Sequence, residues 1–158
     1  MIVRMFTDGA CSNNPGPGGY AALITTTLGT KIISGFEMET TNNRMELMAV
    51  IKGIEEVMNI IFLEEQRIKK LEIISDSAYV VNAINQNWLQ SWKTNGFKTK
   101  DNKPIKNIEI WKKLDEQLET LKFIEVEIVF TKIKGHNGNY FNEMVDKIAR
   151  EEIIKNVK

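Results

Sequence analysis

IVRMFTDGACSNNPGPGGYAA, residues Ile2–Ala22, contains a strand, a turn and the start of a second strand. Ile2–Thr7 is short and apolar with β-branched residues, and the run breaks at Asp8-Gly9, which predicts a strand ending there. Asn13–Gly19 is turn chemistry throughout, two asparagines followed by alternating proline and glycine. Tyr20–Thr27 and Lys31–Met38 flank Leu28-Gly29-Thr30, so a hairpin follows and the first three strands form an antiparallel meander. From Asn43 the period lengthens. Leu47, Val50, Ile51, Ile54, Val57, Met58 and Ile61 recur at three and four residues, which predicts an amphipathic helix.

The rest of the chain alternates strand and helix. Leu71–Ser75 (LEIIS) is an apolar strand, and a helix from Ser77 to Asn85 follows it, implying a parallel crossover. Trp88–Lys106 reads as irregular, broken by Gly96 and Pro104. Asn107–Thr120 carries Ile108, Trp111, Leu114 and Leu118 in helical register. Phe123–Thr131 reads as a strand, Lys134–Asn139 as a loop, and Tyr140–Val157 as a final helix. The fold class is α/β, with one mixed sheet and helices on its faces.

A chain of 158 residues with 42% hydrophobic and 27% charged residues matches one globular domain, and repeats, linkers and low-complexity tracts are absent. No apolar run reaches the roughly 18 residues of a membrane helix, and the N-terminus lacks the pattern of a secretory signal. Cys11 is the single cysteine, so no internal disulfide can form, which fits a reducing, cytoplasmic setting. The net charge is zero, but Lys93–Lys113 holds seven lysines against Asp101 and Glu109, a local +5 set against −5 elsewhere. Such a segment can face a polyanion, or it can be an ordinary solvated loop and helix face.

Asp8 and Asp76 follow apolar strands, where open α/β sheets bind ligands. Glu46 falls in the first turn of the first helix and Asp146 inside the last. Carboxylates without thiols, in a chain with one histidine, suit a hard cation such as Mg²⁺ better than Zn²⁺. Each acid also has a plain structural reading. Asn43 and Glu46 have capping-box spacing, Asp76 could open the following helix, Asp8-Gly9 could be a turn, and Asp146 a surface charge.

The surrounding sequence resembles type 1 ribonuclease H, the bacterial ribonuclease HI family. TDGACSNNPGPGGYAA (Thr7–Ala22), TTNNRMELMA (Thr40–Ala49), SDSAYV (Ser75–Val80), KPIKNIEIW (Lys103–Trp111) and KGHNGNYFNEMVDKIAR (Lys134–Arg150) carry the likeness, in order and across essentially the whole chain. The resemblance implies a ribonuclease H-like fold with a five-stranded mixed sheet in a single domain, 1–158, and a basic protrusion at about 88–106. It implies an endonuclease that hydrolyses the RNA strand of RNA–DNA hybrids, leaving 5′-phosphate and 3′-hydroxyl ends. Asp8, Glu46, Asp76 and Asp146 take the places of metal-binding catalytic acids holding two Mg²⁺ ions, with Mn²⁺ a possible substitute. His136 matches a histidine that assists proton handling or product release. Cys11 and Asn13 (through backbone) with Glu46 match contacts to the 2′-hydroxyl, by which RNA is told from DNA. Asn14, Asn42 and Asn43 match minor-groove contacts, Thr41 part of a DNA-phosphate pocket, and Lys93, Lys98, Lys100 and Lys106 phosphate contacts in the protrusion. Trp88, Trp92, Phe97 and Trp111 are expected to brace that segment by packing.

Three departures stand out. The protrusion tip, KTNGFK, is less basic than in well-known members. Ala78 replaces a common glutamine, and Asn13 a frequent glycine. Met1 directly precedes the first strand, from which an independent enzyme without a separate N-terminal hybrid-binding domain is expected, and a monomer is expected as well. The alternatives are the ribonuclease H domain of a reverse transcriptase and a hybrid-binding module without catalysis.

Overall fold

A computed structural model describes residues 1–134 and 138–157. Strands β1 (Ile2–Cys11), β2 (Gly16–Thr26) and β3 (Gly29–Thr40) form the antiparallel meander. Helix α1 (Asn42–Phe62) crosses to β4 (Lys70–Ser75), which pairs parallel with β1. Helices α2 (Ala78–Asn85), α3 (Trp88–Asn95) and α4 (Ile108–Phe123) lead to β5 (Glu127–Lys132), parallel to β4, and α5 (Tyr140–Asn156) closes the chain. The five-stranded sheet has the order β3-β2-β1-β4-β5. No helix among the described residues is long and apolar enough to cross a membrane.

Strand alternation divides the core between the two faces of the sheet. Val3, Met5, Ala22, Ile24, Leu71 and Ile73 pack under Leu47, Val50 and Ile54 of α1 and Trp111 and Leu114 of α4. Phe6, Ala21, Leu23 and Ile74 turn the other way, against Val145 and Ala149 of α5. Each fully buried Leu, Ile or Val contributes about 1.5–3 kcal/mol, so the helices are held by these faces more than by their own propensity.

Several expected boundaries move. β1 does not end at Thr7 but runs on to Cys11, because β2 continues to pair with it out to Cys11↔Gly18. Trp88–Lys106 is not wholly irregular. Trp88–Asn95 is helical, entered through Asn87 in the left-handed region (φ 61°) and left through Gly96 (φ 79°). The last strand begins at Glu127, not Phe123, because α4 continues through Phe123 and closes with a Schellman turn. There the Val126 N–H donates to Leu121 O (2.9 Å), the Glu125 N–H donates to Lys122 O (3.0 Å), and Glu125 takes φ 65°.

β2 and α5 come close together at Gly19, where a Cβ would run into the carbonyl oxygen of Ala149 and come within 2.9 Å of Glu152 Cβ. Gly19→Ala should lower the unfolding free energy by about 1–3 kcal/mol, the usual range for overpacking against unyielding backbone. The urea midpoint measures this, and an unchanged midpoint would mean that α5 can stand off the sheet.

Candidate active site

β1 and β4 pair only from Ile2↔Lys70 to Phe6↔Ile74, while β1 stays with β2 further along, from Thr7 to Cys11. Asp8 and Asp76 therefore each lie two residues past the last shared pair. The expectation that Asp8 ends its strand is corrected here. Asp8 is inside β1, opposite Ala21, and what ends is the pairing with β4. Alternation puts its side chain on the Phe6 face, toward α5.

The capping roles considered for two acids belong to their neighbours. Thr41 caps α1, its Oγ1 accepting from the Arg44 N–H at 3.2 Å, so Asn43 and Glu46 form no capping box. Ser77 caps α2, its Oγ accepting from the Val80 N–H at 3.3 Å, and its own N–H donates to Ser75 Oγ at 3.0 Å. Glu46 and Asp76 are thereby left to turn into a shared cleft of about 400 Å³ with Asp8 and Asp146. One carboxylate oxygen from each of Asp8, Glu46 and Asp76 lies within 4.8 Å of the others. Asp146 stands at the side of this group, its Oδ2 accepting from Arg150 Nε (3.1 Å) and Nη2 (2.9 Å) one turn along α5.

Burial and crowding disfavour the charged forms. Asp8, 5% exposed, accepts one backbone N–H, from Gly9 at 3.0 Å. Its carboxyl is nevertheless pushed up to about 7, first by burial and then by the charge of Asp76. Glu46, 4% exposed, is raised well above the ordinary carboxylate range by burial and then by Asp8. Glu46 Oε2 is buried without a hydrogen-bond donor among the described residues. An orphaned oxygen beside two further carboxylates fits a hard cation, which would satisfy all three at once. Asp8, Glu46 and Asp76 could hold such an ion.

The expected substrate residues divide into two groups. The Asn42 N–H donates to Asn14 Oδ1 at 3.0 Å, tying the β1–β2 turn to the start of α1. Asn14, Thr41, Asn42, Asn43 and Lys106 line a second cleft of about 590 Å³, which shares Asn42 and Asn43 with the acid cleft. Cys11 and Asn13 lie at that same turn. Cys11 is half-buried with its thiol toward Thr40 O (3.4 Å), and Asn13 is exposed at φ 59°. Lys98 and Lys100 are exposed on the α3–α4 connection. Lys93, by contrast, is engaged with Asp115 (3.2 Å) and Glu119 (3.4 Å) of α4. Among the aromatics, Trp92 packs edge-on against the fully buried Trp111 (centroids 5.2 Å apart), Phe97 lies under Lys112 Nζ (5.4 Å), and Trp88 remains 40% exposed. His136 lies outside the described residues.

Tyr79 and Asn107 also stand on these walls, and the sequence reading passed over them. Asn107 offered no signal beyond its place before a helix. The Asp146–Arg150 pair was findable from its four-residue spacing.

Acids gathered where two adjacent strands part, beside a cleft rich in amides, suit a hydrolase of nucleic-acid phosphodiesters. The comparisons with known proteins agree. The family model for RNase H matches residues 2–154. The chain is 46% identical to ribonuclease H of Caldicellulosiruptor saccharolyticus, covering 96% of this chain and 95% of that one. It is 44% identical to ribonuclease H of Acetivibrio thermocellus, covering 99% and 97%. Among solved structures, LC11-RNase H1 in complex with RNA/DNA hybrid superposes with a TM-score of 0.71 at 24% identity over 99% of both chains. LC9-RNase H1, a type 1 RNase H with the type 2 active-site motif, gives 0.76 at 24% identity, over 98% of this chain and 72% of that one. The chain belongs to the ribonuclease H family, enzymes that hydrolyse the RNA strand of RNA–DNA hybrids.

A carboxyl whose pKa is higher folded than unfolded binds more protons in the native state, so stability falls as pH rises. For Asp8 the window runs from its ordinary value, 3.8, to about 7. Metal-free protein should lose stability across that window, and Asp8→Asn should recover about 1–3 kcal/mol of it at pH 8. Thermal melts in EDTA at pH 5 and pH 8 measure both effects. Equal melting temperatures for wild type and variant at pH 8 would contradict the crowding described above.

Proposed function

We propose that the chain is a monomeric, cytoplasmic endonuclease that cuts the RNA strand of RNA–DNA hybrids with two divalent cations held by Asp8, Glu46, Asp76 and Asp146. The single observation that carries this is the convergence of Asp8, Glu46 and Asp76, one carboxylate oxygen of each within 4.8 Å of the others, with Glu46 Oε2 buried and without a donor among the described residues. Two such ions, Mg²⁺ with Mn²⁺ as a substitute, would supply an activated water and charge neutralisation at the departing 3′-oxygen. Magnesium fits because the donor set is all carboxylate.

The chain's own residues would position the substrate. Backbone at Cys11 and Asn13, with Glu46, would read the 2′-hydroxyl, and Asn14, Asn42 and Asn43 would lie along the minor groove. Thr41 would hold a phosphate of the DNA strand. His136 would assist proton handling or product release, as the family resemblance implies. In a single domain, 1–158, the segment 88–106 would serve as the basic protrusion, with Lys98, Lys100 and Lys106 its phosphate contacts. Lys93 would act mainly as a strut, because two carboxylates already hold it.

Incubation with labelled RNA–DNA hybrid, duplex RNA and duplex DNA, each with Mg²⁺, Mn²⁺ or EDTA, tests the assignment. Only the hybrid should be cut, only on its RNA strand, and only with a metal, leaving a 5′-phosphate. Asp8→Asn should abolish cleavage while hybrid binding remains measurable. Cleavage of duplex DNA, or a fully active Asp8→Asn, would overturn the reading.

Replacing Lys98, Lys100 and Lys106 together by glutamine should flatten the salt dependence of binding, by about 0.7–0.9 in log–log slope for each phosphate no longer neutralised. Lys93→Gln should leave the slope nearly unchanged. The opposite ranking would place Lys93 on the substrate.

A further inference from the structure

We infer that Tyr79 is a positioning residue for hybrid binding, its hydroxyl holding the amide of Asn107 at the wall of the second cleft; this rests on the function proposed above. Tyr79 lies in the first turn of α2, three residues after Asp76. Its hydroxyl oxygen accepts from Trp111 Nε1 at 2.9 Å and from Asn107 Nδ2 at 3.2 Å. Its ring meets the Trp111 ring edge-on, with centroids 5.4 Å apart. Trp111 is fully buried, so one donor to this hydroxyl is fixed in the core and the other stands at the surface of the cleft.

The geometry of Asn107 shows where its side chain is committed. Thr41, Ser77 and Asn139 cap their helices in extended conformation, each with its side-chain oxygen accepting a backbone N–H of the first turn. Asn107 precedes α4 in the left-handed region (φ 60°, ψ 32°) and makes no such bond. Asn87 enters α3 in the same conformation, also without a cap bond, so what distinguishes Asn107 is the bond its side chain makes. The partner seen here is Tyr79. Asn107 thereby joins Thr41 and Lys106 on one wall, while Tyr79 itself reaches both clefts. A single hydroxyl thus ties the wall of the basic segment to the helix that begins beside Asp76. The second amide hydrogen and the carbonyl of Asn107 are left to meet a polar backbone, which in this cleft is that of the hybrid.

Tyr79→Phe keeps the ring against Trp111 and removes the acceptor. Asn107→Ala removes the positioned amide and leaves the bond between Tyr79 and Trp111. KM for the hybrid, kcat, and the Kd for fluorescein-labelled hybrid in EDTA are measured for each variant and for the pair. Each single variant should raise KM and Kd about fivefold with kcat within about twofold, the size of one hydrogen bond. The double variant should bind no worse than Asn107→Ala alone, because both changes break one unit. A Tyr79→Phe protein that melts earlier but keeps wild-type KM and Kd would overturn the inference, as would effects that multiply. If wild-type protein leaves the hybrid uncut, the proposed function fails, while the Kd series still decides the role of Tyr79.

Discussion

Carboxylates brought together out of water repel one another, and each gives up hydration when it is buried. Asp8 and Glu46 accept both costs, being nearly inaccessible and within reach of Asp76, and Asp8 also meets the charge of Asp146. The rest of the structure is arranged around sustaining that placement. The parallel pairing of β1 with β4 stops at Phe6↔Ile74, which opens the cleft, while β2 keeps pairing and holds Asp8 in an extended conformation beyond it. Thr41 and Ser77 take over the helix caps, so neither Glu46 nor Asp76 is drawn into ordinary capping. Gly9 fits the same need, since a Cβ there would come within 2.6 Å of the Met45 carbonyl carbon and push α1 away.

Much of this was legible in the residues. The three-and-four spacing of Leu47, Val50, Ile54 and Val57 is a direct imprint of one buried helix face, and LEIIS of a strand covered on both sides. The meander followed from glycine and proline positions, which constrain the backbone whatever packs on it. The acids were different. Taken singly, Asp76 and Glu46 had local explanations as good as a metal site, because capping and convergence use the same residue types near the same helix starts. Tertiary structure separates the two by showing which side chain accepts the N–H. Only the motifs surrounding the acids, matched across nearly the whole chain, could anticipate that outcome.

What stayed hidden depends on conformations that sequence periodicity does not record. Asn87, Asn107 and Glu125 adopt positive φ, which is uncommon for residues other than glycine. Two of them set the start of α3 and α4, and the third delays β5 by ending α4 later than its apolar pattern suggests. Asparagine tolerates this region better than most residues, yet its presence also suits loops and caps, so the letters alone leave it undecided. Lys93 is the same problem in electrostatics. A lysine count assigns it to a basic patch, and it does not show that Asp115 and Glu119, more than twenty positions away, lie in ion-pair reach of it.

The charge balance of the chain constrains how cutting and gripping can cooperate. A cluster of acids repels a polyanion, so the hybrid's approach to the cleft is unfavourable until cations lie between them. A substrate phosphate that shares those cations must in turn strengthen their binding by the same factor, since coupling between two ligands is reciprocal. The basic segment cannot remove that requirement, because it flanks the second cleft and one of its lysines is already neutralised by α4. It can only raise the local concentration of hybrid beside the acids, an effect that salt screens. On the proposed function, affinity without metal would report the lysines and amides, whereas the gain on adding metal would report Asp8, Glu46 and Asp76. That separation would rest on the two clefts being distinct, although they share Asn42, Asn43 and Tyr79.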